Sequence, residues 1–304
     1  MVAPATIGEM RLSAALSAAL LVAAIALGCA GDDDKADAPE PTPAKPVASL
    51  RADEFDGAKA YQWVQRQVDL GPRPAGSAAS RKLAKILRTS IPKGRYQSVP
   101  GGLRNVLGTV PGRNPKRVVV VGAHYDTKDI PGFVGAVDGG SGTAVVAQLA
   151  RTIKPRELRP TIVFAFFDGE EAPAGVPDSQ FEKRGLRGSK VAAKSLKDAE
   201  AMILLDFVGE KDLSIPHEDN SDKRLWRKLR TAAKAAGVGQ HFPADLWPPV
   251  SDDHLPFIRR GIPSIDLIDF DFACWHETCD DMSQIGESSL DASGEAVYRL
   301  LATL

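Results

Sequence analysis

Apolar positions along this chain follow two rhythms that take turns. Residues 53 to 69 place Tyr61, Val64 and Val68 at helical spacing, and residues 78 to 90 do the same with Leu83, Ile86 and Leu87. Between them Gly71-Pro72-Arg73-Pro74-Ala75-Gly76-Ser77 is a turn-rich break. Asn105 to Val110 reads as a strand and Pro111-Gly112-Arg113-Asn114-Pro115 as a hairpin-like turn. Arg117 to Ala123, with valine at every position from 118 to 121, reads as a strand buried on both faces. Thr143 to Thr152 is predicted helical, Thr161 to Phe167 a strand, 188 to 199 a helix, and Ala201 to Phe207 a strand. A helix over 221 to 236, a strand over Ile262 to Ile268 and a closing helix complete the pattern. Strands alternating with helices predict an α/β fold with a mixed, mainly parallel central sheet flanked by helices. The early hairpin predicts an antiparallel part at one edge.

The N-terminus breaks this pattern. Arg11 is followed by an apolar run from Leu12 to Leu27, then Gly28 and Cys29, which predicts a secretory signal over residues 1 to 28. Ala26-Leu27-Gly28-Cys29 resembles the lipobox of bacterial lipoproteins, with Ala26 where leucine is commoner. The resemblance implies cleavage before Cys29, lipid on that cysteine, and an exported, membrane-anchored protein facing the periplasm or the cell exterior. The bland alternative is a membrane anchor helix with an incidental cysteine. The charged stretch at 31 to 35, followed by Pro39, Pro41, Pro43 and Pro46, makes 29 to 50 an extended tether that cannot bury apolar surface. Residues 51 to 304 are then expected to form a single domain.

Composition narrows the function. With 304 residues, 43% of them apolar, the chain can build one large core. A formal net charge of −1 argues against a nucleic-acid partner, which would need a basic excess. Cys274 and Cys279 flank His276; they form a disulfide in an exported protein, or remain two buried thiols.

Candidate chemistry collects at the ends of the apolar runs. His124 follows a buried strand, with Asp126 two residues on as a partner that could orient the imidazole. Asp138 lies in the glycine-rich stretch 135 to 142 and is either a helix cap or a metal-bridging carboxylate. Glu170 and Glu171 come directly after a buried strand. Burying both is costly unless a cation or a shared proton compensates, and one could ligate metal while the other moves protons. Asp206 ends another strand. Trp275 beside His276 is either an aromatic wall or core packing. Carboxylates and imidazoles of this kind suit zinc better than calcium.

Together these segments resemble the zinc-dependent peptidase family that contains secreted bacterial aminopeptidases and the animal-type glutaminyl cyclases, over about residues 60 to 300. The resemblance implies a three-layer fold. It implies zinc ligation by His124, Asp138, Glu171, Asp206 and His276, with Glu170 as the proton-transfer group. Peptide or protein N-termini are the implied substrates.

Finer segments are more similar to the cyclase branch: 71 to 77, 167 to 172, 204 to 209, Trp275-His276, and above all 252 to 263, where Asp252 replaces the serine usual in aminopeptidases. A cyclase would hold one zinc, through Asp138, Glu171 and His276. Glu170, Asp206 and Asp252 would then crowd together and share protons. An aminopeptidase would hold two, the second through His124 and Asp206. Asp266 stands where the cyclase pattern has histidine, the segment 174 to 187 is longer and lacks that pattern's tryptophan, and 138 to 142 looks closer to aminopeptidases. A third reading is a non-catalytic, lipid-anchored binding protein on the same scaffold. His217 and His241 read as exposed loop residues, His254 as supporting the site or starting a helix, and Trp63, Trp226 and Trp247 as packing. The basic residues from Arg224 to Lys234 read as a solvated helix face.

Overall fold

The computed structural model describes residues 53–304; the predicted signal, Cys29 and the whole of the predicted tether lie outside the described residues. The described chain runs α1 (Gly57–Val68), α2 (Ala78–Ser90), β1 (Arg95–Val99), β2 (Leu103–Val110), β3 (Asn114–His124), α3 (Gly140–Thr152), β4 (Pro160–Phe167) and α4 (Phe181–Arg184). It continues with α5 (Arg187–Ser195), β5 (Ala201–Asp206), β6 (His217–Glu218), α6 (Lys223–Ala235), β7 (Leu246–Trp247), α7 (Leu255–Ile258), β8 (Ser264–Ile268) and α8 (Glu287–Ala302).

Helix starts are written into the sequence. Asp56, Ser77 and Asp222 each turn a side-chain oxygen onto a backbone N–H of the first turn, at 2.9, 3.0 and 2.7 Å. The apolar stripe of α6, Leu225, Trp226, Leu229, Ala232 and Ala233, is buried, and its basic residues stay at the surface.

Six strands form one sheet in the order β1-β2-β4-β3-β5-β8. The four strands from β4 to β8 run parallel, whereas β2 is antiparallel to both β1 and β4. The continuous apolar runs are buried on both faces, with alternate residues going to opposite cores. Val119, Val121, Phe164, Phe166, Ile203 and Leu205 join α1, α3, α6 and α8 in the larger core. Val120, Ala165, Phe167, Met202 and Leu204 meet α5 and α7 in the smaller. The result is the expected three-layer α/β arrangement.

The antiparallel edge differs from the expected hairpin. The turn at 111 to 115 leads from β2 into β3, but β4 lies between those strands; the partner of β2 on its outer side is β1. β1 carries no apolar alternation, because it is an edge strand with only Val99 buried. That is why the hydrophobic pattern does not mark it.

The crossover leaving β3 carries α3 on one face of the sheet and the crossover leaving its neighbour β4 carries α5 on the other, so the chain diverges from two adjacent strand ends. A crevice therefore opens at the carboxyl ends of the parallel strands. At Gly142 of α3 an added Cβ would lie 2.0 Å from the Leu205 carbonyl oxygen of β5. Gly142→Ala is expected to lower unfolding stability by about 1–3 kcal/mol through forced separation of helix and strand. A denaturant melt of metal-stripped protein reads this, and an unchanged midpoint would show that α3 and β5 are not held this close.

Candidate metal centre

His124 and Asp206 are the last residues of β3 and β5, Glu170 and Glu171 follow β4, Asp138 precedes α3, and His276 lies in the loop after β8. The fold brings all of them to one end of the sheet. His124 Nε2 is 3.2 Å from Asp138 Oδ1 and 3.3 Å from Asp206 Oδ1. His276 Nε2 is 3.5 Å from Asp138 Oδ2 and 3.2 Å from Glu171 Oε1. Ligand atoms of His124, Asp138 and Asp206 lie within 4.8 Å of one another, as do those of Asp138, Glu171 and His276. The two groups share Asp138, which faces each through a different oxygen. Mixed carboxylate and imidazole donors converging at this spacing fit zinc.

The loops that carry these ligands are pinned from behind. Asp126 Oδ1 accepts from the Gly169 and Glu170 N–H groups at 2.9 and 3.2 Å, and its Oδ2 from the Glu171 N–H at 3.3 Å. Asp126 thus fixes the turn that presents both glutamates. Its distance to His124 Nδ1 is 3.8 Å, too long for the orienting hydrogen bond expected from sequence. Asp280, unmarked in the sequence, holds the Asp138 loop by accepting from Val137 N–H at 2.7 Å and Asp138 N–H at 3.1 Å. The α3 cap position is Gly139, with no side-chain cap bond, so Asp138 is not a helix cap. Gly139 has φ +69°, and a Cβ there would sit 2.9 Å from the His124 ring.

Cys274 and Cys279 are joined in a disulfide with Cα atoms 5.5 Å apart, closing a short loop around His276. His276 and Phe207 both adopt left-handed backbone, φ +55° and +48°, an uncommon state for residues with side chains. Both lie at the site.

The electrostatics are lopsided. Burial, then the charges of Glu171, Asp252 and Asp253, push Glu170 well above the usual carboxylate range against the pull of His124. Burial and then Asp206 raise Asp252 to about 7. Burial also raises Asp206, against His124. Burial opposes ionisation of Glu171, but its bond to His276 and the nearby Lys128 prevail and hold it below the usual range. Lys128 Nζ lies 3.0 Å from Glu171 Oε2. Its signal was available in the segment 122 to 128, but a lone lysine there had no partner until the fold supplied one.

A cleft of about 380 Å³ opens onto these acids. Glu170, Glu171, Asp206 and Asp252 line its polar part, and Phe207, Trp247, Ile268, Phe270 and Trp275 line its apolar part. Trp275 is 43% exposed and stacks on His276 with ring centres 4.5 Å apart, so it is an aromatic wall and not core. Trp247, expected to pack, is a cleft residue, whereas Trp63 and Trp226 are buried as expected. His217, expected to be exposed, is buried and stacks on Trp226 at 5.3 Å. His241 is half-buried, with its Nδ1 3.0 Å from the Leu213 carbonyl oxygen. His217 is covered by Trp226 of α6 and His241 is held by the Leu213 carbonyl, contacts across the fold that are invisible in local polarity.

The profile of Peptidase family M28 matches residues 105–301. A glutaminyl-peptide cyclotransferase of Drosophila melanogaster is 30% identical over 217 residues, 62% of this chain and 61% of that protein. Among solved structures, glutaminyl cyclase from an Acidobacteriales bacterium superposes with TM-score 0.73 at 28% identity, covering 86% of this chain and 98% of that one. A Zn-dependent exopeptidase from Parabacteroides distasonis superposes equally, TM-score 0.73 at 28% identity, covering 84% of this chain and all of its own.

The pinning of Asp138 makes Asp280 a determinant of metal affinity. Asp280→Ala is expected to weaken zinc binding by roughly 10- to 100-fold, the usual effect of losing a group that orients a ligand. Competition against a chromophoric chelator measures it, and an unchanged affinity would remove Asp280 from the site.

Proposed function

The chain belongs to Peptidase family M28, and from that membership we propose that it is a zinc-dependent glutaminyl-peptide cyclotransferase. It converts the N-terminal glutamine of peptides to pyroglutamate and releases ammonia. The observation that carries this reading is Asp252. It is a buried acid beside Asp206 and close to Glu170, where shared protons rather than a second cation can balance the charge. The similarity to known cyclases supports it.

Asp138, Glu171 and His276 would hold the metal, which when bound supplies Lewis-acid polarisation of the γ-amide carbonyl. The aromatic walls at Phe270 and Trp275 hold the substrate's flexible side chain folded back on its own amine, which turns proximity into rate. The α-amine nitrogen bonds to the γ-amide carbon, and the bond from that carbon to the amide nitrogen breaks. Glu170 takes a proton from the attacking nitrogen and passes it to the departing one, which leaves as ammonia. Asp206 and Asp252 orient the amine and take up the extra proton it carries at neutral pH.

A metallo-aminopeptidase is the second reading. It is favoured by the group His124, Asp138 and Asp206, which gives a second cation a place beside the first. Bound zinc would number one per chain in the cyclase and two in the aminopeptidase. From the N-terminal sequence alone we further propose that the domain is exported and tethered to a membrane by lipid on Cys29.

Mass spectrometry of a glutamine-initiated peptide incubated with the protein separates the readings. The cyclase gives loss of ammonia from an otherwise intact peptide; release of free amino acids would replace it with the aminopeptidase. Glu170→Gln is expected to retain zinc and to lower kcat by at least about 100-fold. Wild-type turnover in that variant would end the proton-transfer assignment.

A further inference from the structure

Adjoining Asp252, but not lining the cleft, is a fully buried row of ionisable groups: Glu218 of β6, His254 just before α7, and Asp266 of β8. The His254 ring lies between the other two. Its Nε2 is 3.3 Å from Glu218 Oε1 and its Nδ1 is 3.6 Å from Asp266 Oδ2. Glu218 is itself anchored, because its other oxygen accepts from Asn220 N–H at 2.9 Å and Val250 N–H at 3.2 Å. Asp266 is fixed through its backbone N–H, which donates to Ser221 Oγ at 2.8 Å. Asp266 in turn interacts with Asp252, and Asp252 with Asp206. A row therefore runs from Glu218 through His254 and Asp266 to the acid in the cleft.

Neither ring nitrogen of His254 nor either carboxylate oxygen of Asp266 has a hydrogen-bond partner of ordinary geometry. Their ion-pair contacts with one another are what offsets the loss of water. We propose that His254 is a positioning residue: braced by Glu218, its ring holds Asp266 against Asp252 and so sets how Asp252 presents itself to the substrate amine. This rests on the reading of Asp252 as part of the proton-handling group.

The charges that face this row come from several elements: Glu218 from β6, Asp206 from β5, His124 from β3, and Asp252 and Asp253 from the loop before α7. Burial and Asp206 raise Asp252, and the charge of His254 opposes them.

His254→Gln tests the assignment. The expected result is a fall in kcat of roughly 10- to 100-fold, as for other groups that orient a functional residue. KM should hold within about twofold. Zinc content, read by metal analysis, should equal that of wild type. Glu218→Gln, which keeps the ring but weakens its brace, should lower kcat in the same way by less with KM and zinc content unchanged, and it carries the test if His254→Gln does not fold. A folded variant with the wild-type kcat, a change confined to KM, or loss of zinc would each overturn the proposal. Wild-type protein is assayed first: release of amino acids instead of ammonia would sink the cyclase reading, while variant-to-wild-type ratios on that hydrolysis would still decide the role of His254.

Discussion

Mutual repulsion among buried carboxylates is the constraint that organises this end of the molecule. Asp138, Glu170, Glu171, Asp206 and Asp252 all converge on one cleft with little solvent to screen them. Lys128 and the two histidines cannot neutralise so many anions together. Such a group needs compensation, and the proposed function supplies it with a divalent cation at the candidate ligand positions and protons held among the remaining acids.

The architecture makes that convergence possible without disorder. Parallel strands deliver His124, the paired glutamates and Asp206 to one edge, and apolar side chains from both cores lock those strands in register. Acids that never touch the cleft then secure the loops. Asp126 holds the backbone of Glu170 and Glu171, and Asp280 holds that of Asp138. The disulfide limits the freedom of the His276 loop, where the backbone already takes an unfavourable conformation. Chemistry thus sits on rigid elements with a supporting layer behind it, as a site demanding sub-ångström placement requires.

What sequence alone could reveal followed the physics of each signal. The buried parallel strands were legible because an apolar run such as 118 to 121 suits little besides a strand covered on both faces, and the strand ends pointed to the site. His124, Glu171 and Asp206 were legible as candidates because an acid or imidazole directly after such a run is anomalous, whereas Asp138 in its glycine-rich loop and His276 between two cysteines stood out through the family resemblance. β1 was not, since an edge strand needs no hydrophobic pattern. Nor were Asp126's true partners, Asp280's grip or the burial of His217, because each depends on contacts between segments far apart in the chain. Trp247 is instructive: a tryptophan reads as packing until the fold sets it beside a cleft.

The central claim is that a divalent ion, and not the protein alone, balances these acids. Thermal unfolding of chelator-stripped protein, with and without added Zn²⁺, tests it most directly. At a hundredfold excess over Kd, zinc should stabilise the fold by about 2.7 kcal/mol, a rise in Tm of about 5–10 °C for a domain of this size, and should remain bound after dialysis. An unchanged Tm together with zinc-free protein after dialysis would contradict the account.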